Sequence, residues 1–269
     1  MAYVMLGRSQ RLEDIYIVEN PSKFDPSYIR VNEAALSETK RIHYQFEEYK
    51  EKEEAKWKNH FTVSYLNVNR LKPHLAHVKG DHMLMKSNAL GLAETWLDPE
   101  DTIAIDGFYG SQINVGPGKG LASFIQNNQH AKWTSFYNEK CSAMLMETPH
   151  LNVIFLYLSQ GFDSEALENQ LEEWIALNNK VAIIGDVNID YPGKEHRFKR
   201  FMSGRNFSQL VKTPTHIRGG TLDHIYVSEE LLEDKPFSTQ RSVYYSDHDV
   251  VVLHVPLIQE ENSTSQCLK

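Results

Sequence analysis

The sequence predicts an α/β sandwich of two mixed or antiparallel sheets flanked by helices, with a short helical appendage at the N-terminus. Three observations predict it. Short apolar, β-branched runs alternate with amphipathic helical stretches from about residue 60 onward. Several successive runs are separated by tight turns instead of helices, which argues against a doubly wound parallel sheet. The chain of 269 residues, 41% hydrophobic and 24% charged, is long enough for one large domain and excludes disorder throughout.

Residues 1–33 carry two short apolar clusters, Tyr3-Val4-Met5-Leu6 and Ile15-Tyr16-Ile17-Val18, too little to close a core. Residues 34–59 read as a charged linker helix, because six acids and six bases fall between Glu38 and Lys58 with only Ile42, Phe46 and Tyr49 as a thin apolar stripe. Phe61 to Asn69 alternates as a strand, and Leu71, Leu75, Val78 and Leu84 suggest a helical stretch despite Pro73 and Gly80. Leu90 to Trp96 is a second apolar run. Gly116-Pro117-Gly118-Lys119-Gly120 is a turn into the strand Leu121 to Ile125. Val153 to Leu158 is β-rich, and Asp163 is a candidate N-cap for a helix with Leu167, Leu171, Trp174 and Ile175 on one face. Its five acids, from Asp163 to Glu173, are expected to face water. Val181 to Ile184, Ile225 to Val227 and Val250 to Val255 complete the strands, so the main domain is expected at 60–257 and a flexible tail at 258–269.

No stretch has the length and apolarity of a membrane span, and the start lacks a secretory pattern, so a soluble intracellular protein is expected. Two cysteines, Cys141 and Cys267, cannot build a disulfide framework or a zinc cage. The net charge of -8 excludes a global basic field for nucleic acid. Any such contact must be local.

The polar residues at strand ends carry the chemistry. Asn67, Glu94, Asp186 with Asn188, Asp223, and Asp247 with His248 each follow or interrupt an apolar run, so each emerges at a sheet rim. Singly, each has a turn-forming or capping explanation. Together they are costly beside apolar strands unless paired, hydrogen-bonded or bound to a cation. Oxygen-rich ligands without a His-x-x-x-His pattern favour Mg²⁺ or Mn²⁺ over zinc. Phosphate chemistry follows from that set.

The ordered motifs Asn67-Val68-Asn69, Gly91-Leu92-Ala93-Glu94-Thr95-Trp96-Leu97, Gly118-Lys119-Gly120-Leu121-Ala122, Tyr157, Gly185-Asp186-Val187-Asn188, Thr221-Leu222-Asp223-His224-Ile225 and Ser246-Asp247-His248 resemble the endonuclease/exonuclease/phosphatase superfamily across nearly all of 60–257. The Glu-Thr-Trp-Leu and Thr-Leu-Asp-His versions are similar to endonuclease domains of mobile elements. The resemblance implies a four-layered sandwich and a Mg²⁺-dependent endonuclease. It implies Glu94 as the principal metal carboxylate, with Asn67 supporting it and Asp247 adding to the metal side. It implies Asp186 on the attacking water, Asn188 on the scissile phosphate, Tyr157 on that phosphate or the leaving group, and His248 on the phosphoryl oxygens, oriented by Asp223. Asn69 departs from the pattern where repair enzymes often carry a metal-side acid. Leu158-Ser159-Gln160 departs from it after Tyr157.

Ala2 to Arg8, Leu12 to Ile15 and Phe24 to Ser27 resemble the last conserved motif of Helitron-type helicases, with Arg8 at the arginine that reaches a nucleotide phosphate. No Gly-x-x-x-x-Gly-Lys-Ser/Thr loop occurs, which excludes helicase activity and a nucleotide cofactor. The resemblance implies a truncated descendant of a transposon polyprotein. DNA is the implied partner. A local counter-field is expected from Lys194 to Arg218, where Lys194, Arg197, Lys199, Arg200, Arg205, Lys212 and Arg218 stand against Glu195 alone. A solvated basic helix is the alternative for that segment. A DNA substrate implies the nucleus. Two alternative functions stay open, a phosphatase or phosphodiesterase acting on inositol or lipid phosphates and a decayed domain that binds DNA without cutting.

Overall fold

A computed structural model describes residues 58–257 apart from 163, 164, 178 and 194, together with Arg41 and Tyr44. The chain divides into two compact units, 1–56 and 57–269. The helicase-like piece 1–33, nearly all of the charged linker 34–59, Asp163, Lys194, Cys267 and the tail 258–269 lie outside the described residues.

Strand β1 (His60–Asn67) pairs in parallel with β2 (Ala89–Ala93) and antiparallel with β12 (Val250–Pro256). With β3 (Phe108–Ile113), β4 (Leu121–Gln126) and β11 (Phe237–Arg241) they form a sheet in the order β11-β12-β1-β2-β4-β3. The second sheet runs β5 (Lys132–Tyr137), β6 (Cys141–Glu147), β7 (Asn152–Leu158), β8 (Val181–Asp186), β10 (Asp223–Val227) and β9 (Ser208–Gln209). Its one parallel pair is β7 with β8. Each parallel pair needs a crossover, and helices supply it. The helices α1 (Leu71–Gly80) and α2 (His82–Lys86) connect β1 to β2, and α3 (Glu165–Ala176) connects β7 to β8.

Strand parity produces the layers. In β1, Phe61, Val63 and Tyr65 pack between the sheets with Phe155, Ile184, Ile225 and Leu253. The alternate Leu66 turns outward onto Leu71, Val78 and Leu84 of the first crossover. In β8, Ala182 and Ile184 face inward, whereas Val181 and Ile183 meet Leu167, Leu171 and Trp174 of α3. Strands buried on both faces read as continuous apolar runs. The result is helix, sheet, sheet, helix, and the described residues thus have the expected α/β sandwich. At Gly91 the sheets approach closely, since a Cβ there would stand 2.3 Å from a Phe155 ring carbon.

Four expectations change. The helical stretch after β1 is two helices, because Asp81 stops α1 in extended conformation and caps α2 through the Met83 and Leu84 amides. Glu168 does not face water; it is buried against the second sheet and accepts two hydrogen bonds from the Arg197 guanidinium. The basic segment holds only the short helix α4 (Arg197–Ser203) and then β9. Strands β3, β5, β6, β9 and β11 were not expected. Among the described residues no helix is long and apolar enough to cross a membrane.

The buried Tyr65 hydroxyl ties the sheets beneath the rim. It donates to the Leu156 carbonyl at 2.8 Å and accepts from the Asp186 amide at 3.0 Å. Tyr65→Phe would orphan both groups, and the expected loss is about 2 kcal/mol, read as a lower urea midpoint at unchanged slope. We further propose that 60–257 folds alone, expected as a single cooperative transition of that segment expressed by itself; an insoluble or molten product would move the boundary.

Candidate functional site

The parity that fills the core also places the site. Asn67 continues the inward series Val63, Tyr65; Tyr157 continues Val153, Phe155; Asp186 continues Ala182, Ile184; Asp223 precedes Ile225, Val227 in the same phase. All four lie at one end of the sandwich and face the space between the sheets. Glu94 follows β2, and Asp247 with His248 precedes β12. The backbone leaves the strands sharply there, with Asn69, Arg70, Glu94, Trp96 and Asn188 at positive φ (42°, 80°, 48°, 55° and 50°).

One amide joins the two sheets. Asn67, 1% exposed, donates one hydrogen of its Nδ2 to Glu94 Oε1 and the other to Asp186 Oδ2, both at 2.9 Å. Its Oδ1 accepts from the Asn69 amide. Asp186 Oδ1 accepts the Asn188 N–H at 2.9 Å, and Glu94 Oε2 accepts the Trp96 indole N–H at 3.3 Å. Burial, followed by the charge of nearby Asp223, lifts Asp186 to about 7 against the pull of His248 and the two amide donors.

His248 Nδ1 lies 2.8 Å from Asp223 Oδ2, and its Nε2 lies 3.8 Å from Asp186 Oδ2. Burial alone would favour the neutral ring. Contact with Asp223, reinforced by Asp186 and Asp247, overrides it and raises the imidazole to about 9. Asp223 is itself fixed, since Thr215 Oγ1 accepts the Leu222 and Asp223 amides. The loop before β12 is anchored by Ser246, whose hydroxyl donates to the Asn67 carbonyl at 2.6 Å and accepts the His248 amide.

The remaining expected residues sit around this cluster. The Tyr157 phenol donates to the Gly118 carbonyl at 3.1 Å; burial, with Glu94 and Asp186 adding to it, holds the phenol protonated far above its ordinary range. Asn188 Nδ2 donates to the Leu158 carbonyl and borders a cavity of about 360 Å³ that Ser159, Phe162 and Asp190 also line. Asp247, with its side chain 42% exposed, faces Asn69 Nδ2 at 3.5 Å. The basic segment is less available than its composition suggested. Arg197 is paired with Glu168, Arg205 with Glu172, and Lys199 donates to three backbone carbonyls, while Arg200 is exposed.

Three site residues escaped the sequence reading. His216 Nδ1 accepts from the Arg218 amide, which leaves the neutral ring's proton on Nε2, 3.4 Å from Asp247 Oδ2; its ring packs 4.7 Å from that of His248. Trp96 holds Glu94, and Arg70 lies over Trp96 with its guanidinium carbon 4.2 Å from the ring centroid. Only the Thr-Pro-Thr-His and Glu-Thr-Trp contexts could have signalled them, because loop residues carry no periodicity.

Carboxylates from Glu94, Asp186, Asp223 and Asp247 converge with the imidazoles of His248 and His216. Among the described residues two sets bring ligand-type atoms within 4.8 Å of one another, Asp186 with Asp223 and His248, and His216 with Asp247 and His248. Glu94 belongs to neither and joins the first through Asn67. Asp223 Oδ1 is buried without a hydrogen-bond partner. Such an oxygen-rich, under-satisfied set fits a hard divalent cation.

No family model matches the chain, and no curated protein matches it. Solved structures do. The 3′-5′ exonuclease NExo from Neisseria meningitidis superposes with a TM-score of 0.59 at 16% identity, covering 72% of this chain and 99% of its own. The AP endonuclease LMAP from Leishmania major gives 0.57 at 13%, covering 74% and 88%. The endonuclease domain of TRAS1, a telomere-specific non-LTR retrotransposon, gives 0.56 at 16%, covering 74% and 99%. This chain therefore has the two-sheet α/β sandwich fold of those nucleases.

Proposed function

We propose that the protein is a Mg²⁺- or Mn²⁺-dependent DNA endonuclease that nicks one strand, derived from a transposable element and acting in the nucleus. The convergence of Asn67, Glu94, Asp186, Asp223 and His248 at one rim carries this reading. The structural neighbours support it, being DNA-processing enzymes of which one is bound to a product DNA hairpin, and TRAS1 supports the mobile-element origin.

Glu94, Asn67 and Asp247 would hold the cation, which when bound polarises a phosphoryl oxygen and steadies the leaving oxyanion. Asp186 orients a water and takes its proton as the water oxygen bonds to phosphorus. The P–O3′ bond breaks, the leaving O3′ oxygen takes a proton from solvent water, and the products are a 3′ hydroxyl and a 5′ phosphate. His248, held charged by Asp223, presents its Nε2–H to a phosphoryl oxygen. Asn188 contacts the same phosphate. Tyr157, kept neutral, would turn its O–H from the Gly118 carbonyl to the phosphate or the leaving oxygen.

Supercoiled plasmid is expected to be nicked with Mg²⁺ and left intact with EDTA. Asp186→Ala and His248→Ala are each expected to lower the rate by at least about 10²-fold. Equal nicking by wild type and both variants would remove the endonuclease reading. Phosphate release from inositol phosphates without nicking would replace it with the phosphatase reading, and tight, salt-sensitive DNA binding without turnover with a decayed DNA-binding domain.

The pH profile is a second measurement. A rate that needs Asp186 ionised and His248 protonated falls as pH drops below about 7 and again as it rises through about 9. Asp223→Asn removes the charge that raises His248, so the alkaline limb is expected to move down toward the ordinary imidazole range. An unmoved limb would separate His248 from the reaction.

A further inference from the structure

A site of converging carboxylates on a chain of net charge -8 repels a polyanion, so a strand arriving there needs fixed positive groups close to the cut. The basic segment supplies few, because Arg197, Lys199 and Arg205 are engaged within the protein. The rim offers another group. Arg70 is exposed, and among the described residues no carboxylate lies within ion-pair distance of it.

We infer that the Arg70–Trp96 stack is a phosphodiester-gripping site, which seats the DNA strand beside the phosphate that is cut. This rests on the endonuclease reading and adds the place where the polymer is held. The guanidinium lies 4.2 Å from the Trp96 ring centroid, and the indole N–H of the same residue donates to Glu94 Oε2. A cation over its face and a carboxylate at its edge therefore share one indole. A guanidinium lying on a ring keeps its five N–H groups in its own plane, directed outward, where they match the fork of a phosphate.

Both residues are fixed before any ligand arrives. The Arg70 amide donates to the Glu94 carbonyl at 2.9 Å, the Leu71 amide to Thr95 at 3.0 Å, and the Trp96 amide to Lys119 at 2.9 Å. Arg70 and Trp96 also hold left-handed backbone conformations, at φ 80° and 55°. The backbone bonds just named hold these conformations, so the pair is preorganised at the rim. The side chain of Arg70 makes no helix-capping bond either, although the residue occupies the N-cap of α1.

The test measures binding of a short fluorescein-labelled DNA duplex to the full chain in EDTA, across a range of salt. Binding is then read without cleavage. Arg70→Gln is expected to weaken binding about tenfold and to flatten the plot of log K against log salt by about one unit, the signature of one lost phosphate contact. Arg70→Lys is expected to keep the slope, because its charge remains, while losing much of the affinity with the stacked fork. A wild-type protein that binds and nicks, with Arg70→Gln matching it in slope and affinity, overturns this site alone. A wild type that neither binds nor nicks DNA overturns the endonuclease reading and this site with it.

Discussion

The site depends on a single carboxamide. Asn67 belongs to one sheet and spends its two amide hydrogens on Glu94 and on Asp186, the latter from the other sheet. No other short side chain could do both. Aspartate has no hydrogen to give and would add a third charge, and an aliphatic residue would leave two acids facing each other across a dry gap. The donated hydrogens permit carboxylates to approach at the rim without a cation between them. Asn67 also passes the order on, since its backbone carbonyl accepts the Ser246 hydroxyl that turns the chain into Asp247 and His248.

Beneath that amide the same strand does different work at each inward position. Phe61 and Val63 are packing, Tyr65 ties the sheets through its hydroxyl, and Asn67 is the site. This gradation from apolar to amphipathic to polar runs along one face at a two-residue spacing. Strand β8 repeats it, with Ala182 and Ile184 as packing and Asp186 as the site. Because a slip of one residue would turn every side chain to the other face, core and site cannot be built independently. At Gly91 the Phe155 ring of the facing sheet occupies the space a Cβ would need.

What the sequence made legible follows from that register. Most central strands, buried on both faces, stood out as apolar runs, and the polar residues that end them stood out as exits, which meet at the rim; the central strand β6, Cys-Ser-Ala-Met-Leu-Met-Glu, did not, because it carries no β-branched residue. Edge strands were invisible for the opposite reason. Strand β11 reads Phe-Ser-Thr-Gln-Arg, half-covered and polar, and β9 is two residues long. Charge runs misled because pairing is not local: the partner of Arg197 is Glu168, twenty-nine positions away on a helix whose acids looked solvated. His216, Trp96 and Arg70 sit in turns, where left-handed backbone and tertiary contact determine position and no period announces it.

The charge inventory of the rim explains why these loops are held so firmly. Asp186, Asp223 and His248 are nearly sealed from water at 1%, 0% and 7% exposure, and together they hold two carboxylates against one imidazole. Burial, and then the charge of Asp223, drives Asp186 toward protonation, while the carboxylates of Asp223, Asp186 and Asp247 hold the proton on His248 against its own burial. Asp223 Oδ1 remains without a partner, although the other oxygen of the same carboxylate is bonded to His248. A folded core tolerates that deficit of positive charge only where the surrounding hydrogen bonds are strong enough to hold the acids in place. The anchors on Thr215, Ser246 and Tyr65 meet that requirement, beneath a rim at which Asp247 and Arg70 meet solvent.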